Sequence, residues 1–254
     1  MPSFARRWLA VWTRNSLAWS KSIKTALLGG LAEPLFNLFA LGYGLGSFIG
    51  TVEGISYIGF LTAGMISIGA MNAATFEGLY LAYTRMAVLK TWDGMMAAPL
   101  SVADVVMGEL LWMATKSLLS ASLILLVAAG FGLTAHWQVL WVLPVAFLSG
   151  LCFGGMALLV TSFANSYDFF VYYITLAITP MILLSGVYFP STALPESVRL
   201  GSACLPLFHI VELVRPLVSG RFAWPLLLHL PVPLAFALLS TLLAIWRFNR
   251  RLLR

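Results

Sequence analysis

At 254 residues, 61% hydrophobic and only 9% charged, this chain is too apolar for a soluble globular domain and reads as an integral membrane protein. The formal net charge of +6 has a use at a membrane, in fixing topology and attracting anionic headgroups, and requires no nucleic acid.

The opening residues 1–24 lack an uninterrupted apolar core and a cleavage site, so they are expected to stay attached. They look amphipathic. Phe4, Trp8, Val11, Trp12 and Trp19 recur near helical spacing, and Arg7, Arg14 and Lys21 repeat every seven residues on another face. That pattern predicts an interfacial helix, with membrane anchorage as the plain role and a lever on the first span as the functional one.

A bilayer crossing takes roughly 20 apolar residues. Six stretches qualify: Thr25 to Ile49, Ile55 to Phe76, Ser117 to Leu133, Val139 to Phe163, Phe169 to Phe189 and Phe222 to Trp246. The expected fold is an all-α integral membrane domain of six transmembrane helices. Twelve of the fifteen Lys and Arg residues fall on one side if both termini are cytoplasmic, and only Arg199, Arg215 and Arg221 fall opposite.

The first span holds eleven Leu, Ile or Phe residues, worth about −3 to −7 kcal/mol of insertion free energy. Glu33 alone costs about 2.5 to 3.5 kcal/mol of that, and Pro34, Asn37 and the glycines erode the rest. Its polar groups therefore need partners in protein or water. At about 100° per residue, Glu33, Asn37, Ala40 and Gly44 share roughly a 60° arc, with Gly42 and Gly46 opposite. Glu33 falls about 12 Å inside the cytoplasmic boundary at about 1.5 Å per residue. The polar arc is read as pathway wall. Gly42, Gly46 and Gly50 are read as a packing seam, either within the subunit or against a second copy. Gly150 and Gly154 in the fourth span are read as helix-packing positions as well.

Residues 77–116 form the largest cytoplasmic element. Pro99 breaks one helix there, and Ser101 with Asp104 offers a capping box for the next. Such an elbow is either a solvated connector or a docking site for a soluble partner. At the start of the fifth span, Tyr167, Phe169, Phe170, Tyr172 and Tyr173 would face the inner headgroups, where rings stack on sugars or acyl chains or simply form an aromatic belt. Pro180 should kink that span. Residues 185–221 are divided by Pro190, Pro195, Pro206 and Pro216 and predict short helices dipping into the outer leaflet as a re-entrant hairpin. Glu196, Arg199, Glu212 and Arg215 are placed to pair there with little effect on stability.

Catalytic and cofactor motifs are absent from the sequence. None of the four lysines follows a glycine, so the phosphate-cradling G-x-x-x-x-G-K-[ST] loop is missing and any ATP-driven engine must be another polypeptide. No zinc helix or cysteine cluster occurs, and no metal site is expected. Cys152 and Cys204 differ in depth, which argues against a disulfide, and His136, His209 and His229 are scattered. A membrane serine hydrolase built on Ser185 lacks a plausible base.

Taken together, the six-span plan, the elbow ending "TWDGMMAAPLSVADVVMGE", the first span "EPLFNLFALGYGLG" and the run "SGVYFPSTALP" resemble the type-2 ABC exporter permeases. The subgroup they are most similar to exports nodulation lipo-chitooligosaccharides. The outer pattern is carried by Ser185, Gly186, Phe189, Pro190, Leu194 and Pro195, and the resemblance covers essentially residues 1–254 as one transmembrane domain.

What the resemblance implies is a half-transporter in the bacterial inner membrane. Two permease copies would make the pathway, and two copies of a separate ABC ATPase, which bind the ATP and Mg, would grip the elbow at Arg85, Lys90, Trp92 and Asp93. The cargo would be an amphiphile such as a lipo-oligosaccharide, passing Glu33, Asn37, Gly44, Tyr172 and Tyr173. Two rivals stand beside this: a proton-coupled secondary exporter using Glu33, and a purely structural membrane protein.

Overall fold

The computed structural model describes residues 7–23, 35–134, 136–220 and 224–252. Helices account for nearly all of the ordered backbone. In chain order they are α1 (Arg7–Ser20), α2 (Leu35–Ile49), α3 (Tyr57–Val88), α4 (Thr91–Met96), α5 (Val102–Gly130), α6 (Trp137–Phe163), α7 (Asp168–Leu184), α8 (Glu196–Ser202), α9 (Pro206–Val218) and α10 (Leu226–Leu252). A two-residue antiparallel pair, β1 (Thr51–Val52) with β2 (Ile55–Ser56), separates α2 from α3 in the register Thr51 to Ser56 and Val52 to Ile55. Its turn residues Glu53 and Gly54 both hold positive φ, 51° and 76°, as a two-residue hairpin whose twist suits its strands requires.

Among the described residues, α3, α5, α6 and α10 are long and apolar enough to cross a membrane. The shorter α2 and α7 are apolar as well, and α8 and α9 meet at 90° across a brief break. The chain is thus an all-α membrane protein. Helix α3 does not stop at Phe76 where apolarity falls. It continues to Val88 through two π-helical stretches, Glu77–Ala82 and Thr84–Val88. Its polar residues are tolerated because they find partners in the protein interior. Helix α5 begins at Val102, well before its apolar run, because the capping box forms: Ser101 Oγ accepts from the Asp104 amide at 3.1 Å and Asp104 Oδ2 from the Ser101 amide at 2.9 Å. In α7 the expected disturbance around Pro180 takes the form of a π-helical stretch at Ile174–Ile178, with Thr179 Oγ1 donating to the Ile174 carbonyl at 3.1 Å. The wider turn accommodates the missing proline N–H.

Helix α6 sits centrally, packed on α3, α5 and α10. Small residues permit the close approach, as expected where lipid supplies no hydrophobic drive between helices. A Cβ on Gly150 would lie 2.5 Å from Ala114 Cα, one on Gly154 3.1 Å from Met113 Cβ, and one on Gly78 2.6 Å from Ala157 Cβ. Hydroxyls then stitch the seams: Ser117 to the Ala70 carbonyl at 2.6 Å, Ser120 to Gly69 at 3.1 Å and Thr161 to Gly78 at 2.9 Å. Helix α3 is buried on nearly every face between Tyr57 and Met71, whereas α10 turns Leu238, Leu239, Leu242 and Leu243 outward.

The three glycines of α2 behave differently from one another. Gly42 is a close-approach site within the subunit, where a Cβ would meet Ile58 Cγ1 at 2.9 Å. Gly46 has looser contact with Tyr57, 3.7 Å away, and Gly50 ends the helix at φ 71° with its carbonyl accepting from the Tyr57 amide.

Candidate functional site

The C-terminal end of α3 and the N-terminal half of α5 carry charge in the interior. Glu77 and Glu109 are 2% and 0% exposed, and Arg85 bridges them. Its Nη2 reaches Glu77 Oε1 at 2.9 Å and Glu109 Oε2 at 2.5 Å, and its Nε donates to Glu109 Oε1 at 3.0 Å. The remaining acceptor capacity is filled by Trp92 Nε1 on Glu109 (3.3 Å), Trp112 Nε1 on Glu77 (3.0 Å) and Lys116 Nζ on Glu77 (3.2 Å). Two carboxylates and two cations balance, and nearly every polar atom has a partner, which is what lets such a cluster exist away from water.

This cluster divides the four elbow residues. Lys90 and Asp93 are exposed, along with Gly94, Ala97 and Ala98. Lys90 turns the corner from α3 into α4 with a left-handed backbone, φ 52°. Arg85 is largely enclosed, and Trp92 is fully buried with its ring edge-on to Phe248 at 5.0 Å. Side chains so enclosed belong to the interior that supports the surface, so the expectation that all four share one docking face is corrected for Arg85 and Trp92.

Helix α1 lies along α5. Val11, 1% exposed, sits over Gly108, where a Cβ would come within 2.7 Å of the Trp8 carbonyl. Trp12 Nε1 donates to Thr115 Oγ1 at 3.0 Å, and Trp19 packs edge-on to Trp112 at 5.9 Å beneath Lys116 Nζ. Burial, and after it the Arg85 charge, push the Arg14 pKa down, while Glu109 acts against that shift.

The aromatic stretch at the start of α7 splits in two. Tyr167 stacks on Tyr80 at 6.2 Å, meets Tyr83 edge-on at 5.0 Å and shares a 2.7 Å hydroxyl contact with Thr84, while Phe170 is buried against the same tyrosines. Phe169 and Tyr172 point outward, and Tyr173 is partly buried with its hydroxyl unpaired. On α2, Asn37 is half-buried and Gly44 has open space where a Cβ would stand. Among the described residues no hydrogen bond or ring contact joins α2 to α7. Glu33 lies outside the described residues.

At the opposite end, the Ser185-Gly186 motif is pinned from α9. Gly186 takes φ 74° and its carbonyl accepts from Arg215 Nη2. The Arg215 guanidinium lies 3.8 Å over Phe60 and pairs with Glu212 at 3.2 Å. Ser185 is fully buried, Phe189 is 37% exposed, and Pro190 and Pro195 precede the short turn Ser191–Ala193 and α8. Arg215 is therefore an interior residue, not half of a surface pair. No ion pair joins Glu196 and Arg199 among the described residues.

Residues 5–219 match the family described as ABC-2 type transporter. The chain belongs to the ABC-2 type transporter family. Full-length similarity narrows the placement: it is 46% identical over 254 residues to Nodulation protein J of Bradyrhizobium diazoefficiens, covering 100% of this chain and 97% of that one. The Nodulation protein J chains of Rhizobium leguminosarum bv. viciae (44% over 255 residues, 100% and 98% covered) and Sinorhizobium fredii (42% over 253, 100% and 97%) are similar throughout as well. As an ABC-2 type permease it is a multi-pass transport component of the bacterial inner membrane, not an enzyme, and the family implies an ABC ATPase as its partner.

In this ABC-2 permease, the interior roles of Glu77, Glu109 and Arg215 emerge only from the folded chain. One signal for Glu109 was present. Glu109, Trp112 and Lys116 fall at helical spacing within an otherwise apolar run, a polar stripe that a lipid-facing helix has no reason to carry.

Proposed function

We propose that this ABC-2 permease is the membrane half of an ATP-driven exporter that moves an amphiphile, a lipo-oligosaccharide or related glycolipid, out of the cytoplasm or inner leaflet. Helices α2, α3, α5, α6, α7 and α10 are its six spans, both termini are cytoplasmic, and α8 with α9 forms a re-entrant outer hairpin. Two copies enclose the pathway. A separate ABC ATPase binds ATP and Mg and docks at the outward face of Lys90 and Asp93. The observation that carries this reading is end-to-end similarity to the Nodulation protein J chains. The exposed rings of Phe169 and Tyr172 beside the inner ends of the spans support an amphiphilic cargo, as aromatic faces take both sugar and acyl surfaces.

Coexpression with the cognate ABC ATPase tests it. The ATPase should copurify with the permease, and Lys90→Glu combined with Asp93→Lys should weaken that association at least tenfold, because rim charges govern encounter and register. The permease's detergent melting should be unchanged, both side chains being exposed. An ATPase that never copurifies, or binds the double variant as well as the parent, contradicts the proposed docking face.

A further inference from the structure

Glu109 stands where three elements meet. From α4 it receives the Trp92 indole N–H, from α3 it receives two donors of Arg85, and it follows directly on Gly108, the residue over which α1 is seated. Arg85 then continues the chain of contacts to Glu77, and Glu77 to Trp112 and Lys116, which pack against Trp19 of α1. Trp92 lies on the buried side of the same short helix that exposes Asp93. Trp92 therefore ties α4 to Glu109 by a hydrogen bond and to Phe248 of α10 by a ring contact.

We propose that Glu109 is a positioning residue of the transport cycle: through its carboxylate, displacement of α4 is passed to α3 and α1, so that the three shift as one body. This rests on the reading of α4 as the ATPase contact. The physical basis is that a buried carboxylate held by donors from two neighbouring helices cannot be parted from them without leaving an uncompensated charge in the interior. A contact path alone does not demonstrate coupling, so the test has to measure coupling.

The first arm uses the permease alone. Trp92→Phe keeps a ring against Phe248 but deletes the N–H that reaches Glu109, and Trp92 is not among the α1 contacts described above. Hydrogen exchange of the Arg7–Ser20 amides should accelerate at least threefold in Trp92→Phe. It should accelerate similarly in Glu109→Gln and no further in the double variant, while α6 amides keep their protection. Acceleration confined to α4, or additive effects of the two substitutions on α1, would overturn the proposal. The second arm uses the reconstituted permease–ATPase complex. Substrate moved per ATP hydrolysed should fall at least fivefold in Glu109→Gln, and an unchanged ratio would also overturn it. A parent complex that hydrolyses ATP without moving substrate counts against the exporter reading, and in that case the exchange arm still decides the role of Glu109.

Discussion

Arg85→Met should be the most damaging single substitution in the Glu77–Arg85–Glu109 cluster, lowering stability by about 3 to 5 kcal/mol in a detergent-unfolding titration. The cost does not come mainly from lost attraction. Methionine fills much of the same volume, but it leaves Glu77 and Glu109, both almost wholly buried, with Lys116 as the remaining cation in contact with Glu77 and none on Glu109. Neutralising the carboxylates together with the arginine, as Arg85→Met with Glu77→Gln and Glu109→Gln, should recover most of the loss, because the penalty attaches to uncompensated charge. A triple variant no more stable than Arg85→Met would show instead that specific hydrogen-bond geometry dominates.

Gly150→Leu is expected to have the next largest effect, through the α5–α6 seam. Even the first added carbon would sit 2.5 Å from Ala114 Cα and 2.8 Å from Ser117 Oγ. Backbone atoms cannot rotate aside, so the helices must part. Overpacking of this kind costs about 1 to 3 kcal/mol for modest additions, and displacing Ser117 from the Ala70 carbonyl adds about 0.5 to 1.5 kcal/mol. Gly150→Ala should show the lower part of that range and Gly150→Leu the upper part or beyond. Gly44→Ala is the contrast: nothing lies within 4 Å of its Cβ, so unfolding should be unchanged or slightly delayed by the alanine's better helix propensity. Equal destabilisation at both positions would mean that the open space beside Gly44 is filled in the membrane.

How far these features could be read in advance depended on whether local chemistry or tertiary contact decided them. The capping box at Ser101 and Asp104 is a four-residue event, and it starts α5 at Val102, ahead of the apolar run, as its sequence predicts. The end of α3 was set the other way. Apolarity falls after Phe76, yet the helix runs on to Val88 because Glu77 and Arg85 find their partners on α5, more than twenty residues away in the chain. Trp92 has the composition of a surface aromatic and becomes interior only because Phe248, at the far end of the chain, closes over it. Gly50 was placed in a packing seam by its four-residue interval from Gly46, but the hairpin that follows turns it into a helix terminus. Interval patterns mark which residues share a face. They do not say which element lies opposite, and that is where the elbow residues and the α2 glycines needed the folded chain.

Reconstitution with the cognate ABC ATPase in sealed liposomes, followed by transport of a fluorescent lipo-chitooligosaccharide, tests the central claim most directly. Movement of the probe should require hydrolysable ATP, cease with a hydrolysis-deficient ATPase, and be indifferent to an imposed proton gradient. Movement driven by the proton gradient without ATP would contradict it.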